Sequence, residues 1–114
     1  MSIKPRPELL KGVTVKAVVG CGTLYITINV DGIGKPFEVF AQIGKAGGCS
    51  GSHLEAIARL ISLSLRQGAE IEDIAKQLEK IRCPSPSINN GCTHFSCSDA
   101  IAKVLESYKI QERS

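Results

Sequence analysis

The spacing of apolar residues changes once along the chain, and this change constrains the fold more than any other feature. Apolar and polar residues alternate in three segments, residues 13–19, 24–30 and 37–43, as in strands with one buried face. After the glycine-rich residues 44–48 the apolar residues recur at helical spacing. Strands followed by helices predict an α+β fold.

Short glycine-rich connections join the predicted strands, at residues 20–22 and 31–36. Such connections favour hairpins, so the sheet should be a three-stranded antiparallel meander. Three helices should follow and pack on it. The first has a potential capping box at Ser52 and Glu55, the second carries apolar residues from Ile71 to Ile81, and the third from Ile101 to Tyr108.

The segment between the second and third helices, residues 82–96, is rich in Pro, Ser, Asn and Gly. We interpret it as a loop, and a loop of this length is unusual in a compact domain unless something holds it in place. The whole chain of 114 residues fits one core. We expect a single domain over residues 7–109, with tails at residues 1–6 and 110–114.

Composition argues against several classes of function. The net charge of +3 is spread along the chain, and aromatic residues make up only 4%, so direct nucleic-acid binding is not expected. No apolar run has the length of a membrane span or resembles a signal peptide. We therefore expect a cytoplasmic protein without membrane contact. In a reducing compartment, five cysteines favour metal binding or thiol chemistry over disulfides.

The meander and the helices should bring four cysteines to one end of the fold. If the first strand runs upward, the turn after it and the end of the third strand are both at the top. The first helix then descends, the second returns upward, and the third begins at the top. Each of these points carries one cysteine: Cys21, Cys49, Cys83 and Cys97.

Four converging thiols suit a structural zinc ion, which prefers four Cys or His ligands. Cys49 and Cys97 also precede predicted helix starts, where the helix dipole favours thiolate. Alternatives remain open. Buried cysteine often acts only as a small apolar residue, and His53 or His94 could replace a thiol or be ordinary surface residues. We interpret Asp99 as a first-turn acid that complements the helix dipole, and we find no catalytic triad.

Several separated motifs together resemble a known family. They are RPELLKG from Arg6, GCGTLYITIN from Gly20, GKAGGCSGSHLEAIARLISLSLRQG from Gly44, IRCPSP from Ile81 and SCSDAIAKVL from Ser96. Across residues 5–108 the chain resembles the TSCPD domain found at the C-terminus of adenosylcobalamin-dependent ribonucleotide reductases. The resemblance implies a four-cysteine site at Cys21, Cys49, Cys83 and Cys97. Cys92 lies outside this pattern, and Ser98 replaces a usual proline.

The resemblance implies a zinc-binding accessory domain of an adenosylcobalamin-dependent ribonucleoside-diphosphate reductase. Its partner would be the catalytic barrel, contacted near residues 6–12, and adenosylcobalamin would be bound only by that barrel. No activity is expected for this chain alone. Two other functions remain open: a thiol–disulfide relay that reduces the reductase active site, and an iron–sulfur carrier, since the order of elements also resembles iron–sulfur scaffold proteins.

Overall fold

A computed structural model describes residues 4–19, 22–44, 49–81, 87–89, 92–94 and 97–113. Its first half is a sheet of β1 (Lys11–Val19), β2 (Gly22–Val30) and β3 (Pro36–Ile43). The strands are antiparallel and lie in the order β1-β2-β3. The predicted meander is confirmed.

Three helices follow the sheet in the described residues: α1 (Cys49–Arg66), α2 (Ile71–Leu78) and α3 (Cys97–Arg113). The α+β prediction is therefore confirmed, although two helix boundaries differ. The predicted capping box was wrong, because α1 begins at Cys49 and Ser52 lies within it. The second helix ends at Leu78 because Glu79 is extended and Lys80 is left-handed, with φ of 63°.

Residues 82–96, interpreted from sequence as a loop, contain two short strands, β4 (Ser87–Asn89) and β5 (Cys92–His94). They pair antiparallel in a separate sheet, with Asn89 opposite Cys92. The two intervening residues are Asn90 and Gly91. Asn-Gly is a strong signal for a two-residue hairpin, and this signal was missed when the segment was interpreted as a loop.

The hydrophobic core lies between one face of the sheet and the helices. Leu24, Ile26 and Ile28 of the central strand are fully buried, as alternation predicts for one face of a strand. On the helical side α1 packs against β3, α2 packs against α3, and α3 reaches β1 and β2. The β4–β5 hairpin contacts β1 and α3.

The segment before β1 is fixed to both β3 and α1. Arg6 forms an ion pair with the buried carboxylate of Glu38, at 2.9 Å from Nε to Oε1. Arg66 donates a hydrogen bond from Nε to the Lys4 carbonyl at 3.0 Å. Gly12 permits close contact between β1 and the Asn29 side chain of β2, because a Cβ at position 12 would overlap Asn29 Oδ1 and the backbone of Ile28.

Candidate metal centre

The described residues that flank Cys21 and those that lead toward Cys49 lie at the same end of the sheet. Cys21 lies outside the described residues, but the residues on either side of residues 20–21, Val19 and Gly22, pair with each other at the end of β1 and β2. Gly44 donates its N–H to the Thr23 carbonyl at 2.7 Å. The end of β3, which precedes α1, therefore lies beside this turn.

The direction of α1 places Cys49 toward that end. Ser62 Oγ accepts the N–H of Val39 at 3.0 Å and donates to its carbonyl at 3.1 Å, and Arg66 lies 5.1 Å from the Phe37 ring centroid. Since later residues of α1 contact earlier residues of β3, the two elements are antiparallel. Cys49 precedes Ser62 by ~20 Å of helix, whereas β3 extends only ~13 Å beyond Val39. The helix thus starts at or beyond the sheet end.

Described residues close in sequence to Cys83 and Cys97 meet at a second junction, between α2 and α3. Lys80 donates its backbone N–H to Asp99 Oδ1 at 2.7 Å, which joins the end of α2 to the first turn of α3. Cys83 follows Lys80 in sequence and lies outside the described residues. Cys97, the first residue of α3, is half-buried and packs against the hydrophobic core.

Within the described parts of the chain, no group of three or more Cys, His, Asp or Glu side chains forms a metal site. Because Cys21 and Cys83 lie outside those parts, the convergence of all four thiols stays a prediction. The structure does bring described residues near these cysteines together at two places. Gly44 meets Thr23 at the end of the sheet, and Lys80 meets Asp99 at the α2–α3 junction.

A family comparison identifies the chain. The model of the TSCPD domain matches residues 1–109, nearly the full length. The chain belongs to the TSCPD domain family. TSCPD domains are associated with ribonucleotide reductases. No curated protein and no solved structure matches this chain.

Three further candidate residues of this TSCPD domain lie on two elements, α1 and β5. His53 is exposed on α1, one turn after Cys49, and His94 is the last residue of β5. Cys92, outside the family pattern, is the first residue of β5. Cys92 and Cys97, although close in sequence, therefore begin two different elements.

Asp99 is the residue near the site whose importance was missed from the sequence. It lies in the first turn of α3, as predicted, but it is only 1% exposed. Besides the bond to Lys80, its Oδ2 forms an ion pair with Lys103 Nζ at 2.9 Å. No local pattern could indicate this role, because Lys80 lies on the far side of residues 82–96.

None of the helices in the described part of the domain has both the length and the apolar character needed to cross a bilayer.

Proposed function

We propose that this TSCPD domain binds one zinc ion and serves as a non-catalytic accessory domain of an adenosylcobalamin-dependent ribonucleoside-diphosphate reductase. The observation that carries the proposal is the family match over residues 1–109. The ligands would be the four cysteines of the family pattern: Cys21, Cys49, Cys83 and Cys97.

The chemistry of this donor set fits zinc. Four thiolates provide the tetrahedral sulfur coordination typical of structural zinc sites. The arrangement of the elements supports the same assignment, since Cys49 and Cys97 begin α1 and α3, where the helix dipole favours thiolate over thiol. A zinc ion held by all four would link the sheet end to the α2–α3 junction.

The reductase barrel is the proposed partner, and the adenosylcobalamin would be bound by that barrel. The segment before β1 supports this role because it is both fixed and accessible. Arg6 anchors it to Glu38, while Leu9 is 82% exposed. An exposed apolar side chain on an anchored segment can contact a partner without first being ordered.

A pair of serine variants tests the ligand assignment. Cys97→Ser should remove most of the bound zinc, because a protonated serine hydroxyl is a poor substitute for thiolate. Cys92→Ser is the matched control and should keep both zinc content and melting temperature. Elemental analysis of protein purified without added metal measures the zinc, with about one ion per chain expected for the wild type.

The same samples separate the other functions. Visible absorption by the purified wild type would indicate an iron–sulfur cluster, because zinc is colourless. A thiol relay would be indicated by two results together: the wild type contains no metal and carries out disulfide exchange, and the Cys92→Ser variant has lost that exchange. Loss of zinc in Cys92→Ser, or its retention in Cys97→Ser, would show that the ligand set is wrong.

A further inference from the structure

One half of β1 carries apolar side chains that no helix covers. Val13 and Val15 pair with Ile28 and Ile26, so they belong to the helix-facing side of the sheet. Ile26 and Ile28 are fully buried, yet Val13 is 48% and Val15 37% exposed. Toward the other end of the strand Val19 is buried. The helical layer therefore leaves the first half of this edge strand open.

The hydrogen bonds of β3 show which backbone N–H and C=O groups of the sheet point toward a neighbouring strand and which point away from it. Val39 directs its N–H and C=O away from β2, to Ser62. Gly44 directs its N–H to Thr23 of β2. Because neighbouring residues of an antiparallel strand alternate between the two sides, the odd-numbered residues of β2 bond to β3 and its even-numbered residues bond to β1.

The same alternation then applies to β1. Its odd-numbered residues are opposite the even-numbered residues of β2, as in the pair of Val13 and Ile28. The N–H and C=O groups of Gly12, Thr14 and Lys16 consequently point to the outer edge. β1 lies at the edge of the three-stranded sheet, and its residues 11–16 are exposed, although β4 also contacts β1. An exposed strand edge is a ready template for another strand.

We infer that two copies of this TSCPD domain associate by antiparallel pairing of β1 with β1, about a two-fold axis at Thr14. In this register Thr14 faces Thr14, and Gly12 faces Lys16 of the second copy. Outward-facing residues therefore meet outward-facing residues, as the ladder requires. On the helix-facing side Val13 of each copy lies opposite Val15 of the other. The four half-exposed valines form one shared apolar patch.

Charge favours this register and a second copy as the occupant. Lys16 faces glycine, and Lys11 faces Ala17 of the other copy, so no lysine opposes another. Shifting the axis to Lys16 would set two lysines directly opposite each other, which is destabilising. The strand is thus complementary to itself, as a two-fold interface requires. Pairing extends from Lys11 to Ala17 on each chain.

Sedimentation of the full chain and of two variants tests the inference. The wild type should have twice the chain mass of 12.2 kDa. Thr14→Pro removes an outward N–H without breaking the β1–β2 ladder and should weaken association at least 100-fold. Phe40→Lys is the control, since Phe40 is a 49% exposed apolar residue of β3, away from the proposed interface. It should remain a dimer.

A second variant guards against misfolding of Thr14→Pro. Replacing both exposed valines, Val13→Lys with Val15→Lys, should give folded monomers, with the fold checked by circular dichroism. The amides of Gly12, Thr14 and Lys16 should exchange slowly in the wild type and rapidly in this variant. A monomeric wild type with rapid exchange at these amides would overturn the inference, as would dimers of both β1 variants or a folded but monomeric Phe40→Lys. Zinc content plays no part in these outcomes.

Discussion

Glu38 is a charged residue on the face of the sheet without helices, and its partners nevertheless bury it. Its side chain lies on the face of the sheet opposite the helices, yet the residue is only 4% exposed. Arg6 donates two hydrogen bonds to the carboxylate, at 2.9 and 3.0 Å, and Asn29 donates a third at 2.6 Å. Burial acts to raise the pKa of Glu38, but these bonds and the charges of Arg6 and Arg66 outweigh it, so the pKa is lowered.

Glu38→Gln should therefore destabilise the domain in a pH-dependent way. Because the folded-state pKa lies below the ordinary value of ~4.3, the carboxylate contributes stability above that pH and loses it as the pH falls through the folded-state pKa. At neutral pH the loss should be about 1–2 kcal/mol. Urea unfolding from pH 7 downward measures it, and the gap from wild type should shrink below pH ~4.3.

Glu55→Gln is the control for this measurement, since Glu55 is 68% exposed in its pair with Arg59. It should show little difference from wild type at any pH. A gap for Glu38→Gln that stays constant down to acid pH would contradict the assignment of the stabilising charge to Glu38.

At the scale of elements, Asp99 connects two helices across the segment that holds the β4–β5 hairpin. Its carboxylate binds the N–H of Lys80, which has an uncommon left-handed conformation with φ of 63°. Left-handed backbone is unfavourable for a residue with a side chain. The buried acceptor therefore helps to hold the chain in the conformation that ends α2.

Asp99→Ala should lower the free energy of unfolding by about 2–3 kcal/mol, because it removes the buried acceptor of the Lys80 N–H and the partner of Lys103. Denaturant unfolding measures the loss, and the Lys80 amide should exchange faster. Glu106→Ala, an exposed position on α3, is the control and should change stability by less than ~0.5 kcal/mol. A cost for Asp99→Ala no larger than for the control would show that the link is dispensable.

For the whole molecule, the helices cover most of one face of the sheet, and we propose a zinc site at one end of it. The core of the described residues comes from β1, β2, β3 and the three helices. The segment 82–96 has few apolar residues in its sequence. We expect the ion to hold this segment against the rest of the domain, whose own core is independent of the metal.

Removal of zinc by a chelator should accordingly loosen one part of the domain first. Amide exchange should accelerate in β4 and β5, while Ile26 at the centre of β2 stays protected. Exchange measured residue by residue before and after chelation checks this, with re-addition of zinc as the control for reversibility. Equal acceleration in β2 and β5 would mean instead that the metal supports the whole fold.

The order and type of the main elements could be predicted from the amino-acid sequence. Alternation gave three strands and helical spacing gave three helices, because each period reflects one face of an element turned toward a core. The cysteine pattern gave the candidate ligands through the family resemblance. The β4–β5 hairpin was also readable, from Asn90-Gly91, but was missed.

Which face of each element is covered depends on tertiary packing and could not be predicted. Alternation places Val13 and Ile28 on the same side, but the position of the helical layer leaves one exposed and buries the other. Alternation also places Glu38 on the face away from the helices, but the anchored segment at Arg6 buries its side chain. Asp99 meets Lys80 across a long stretch of chain. Periodicity records which way a side chain points, whereas burial depends on elements that are distant in sequence and near in space.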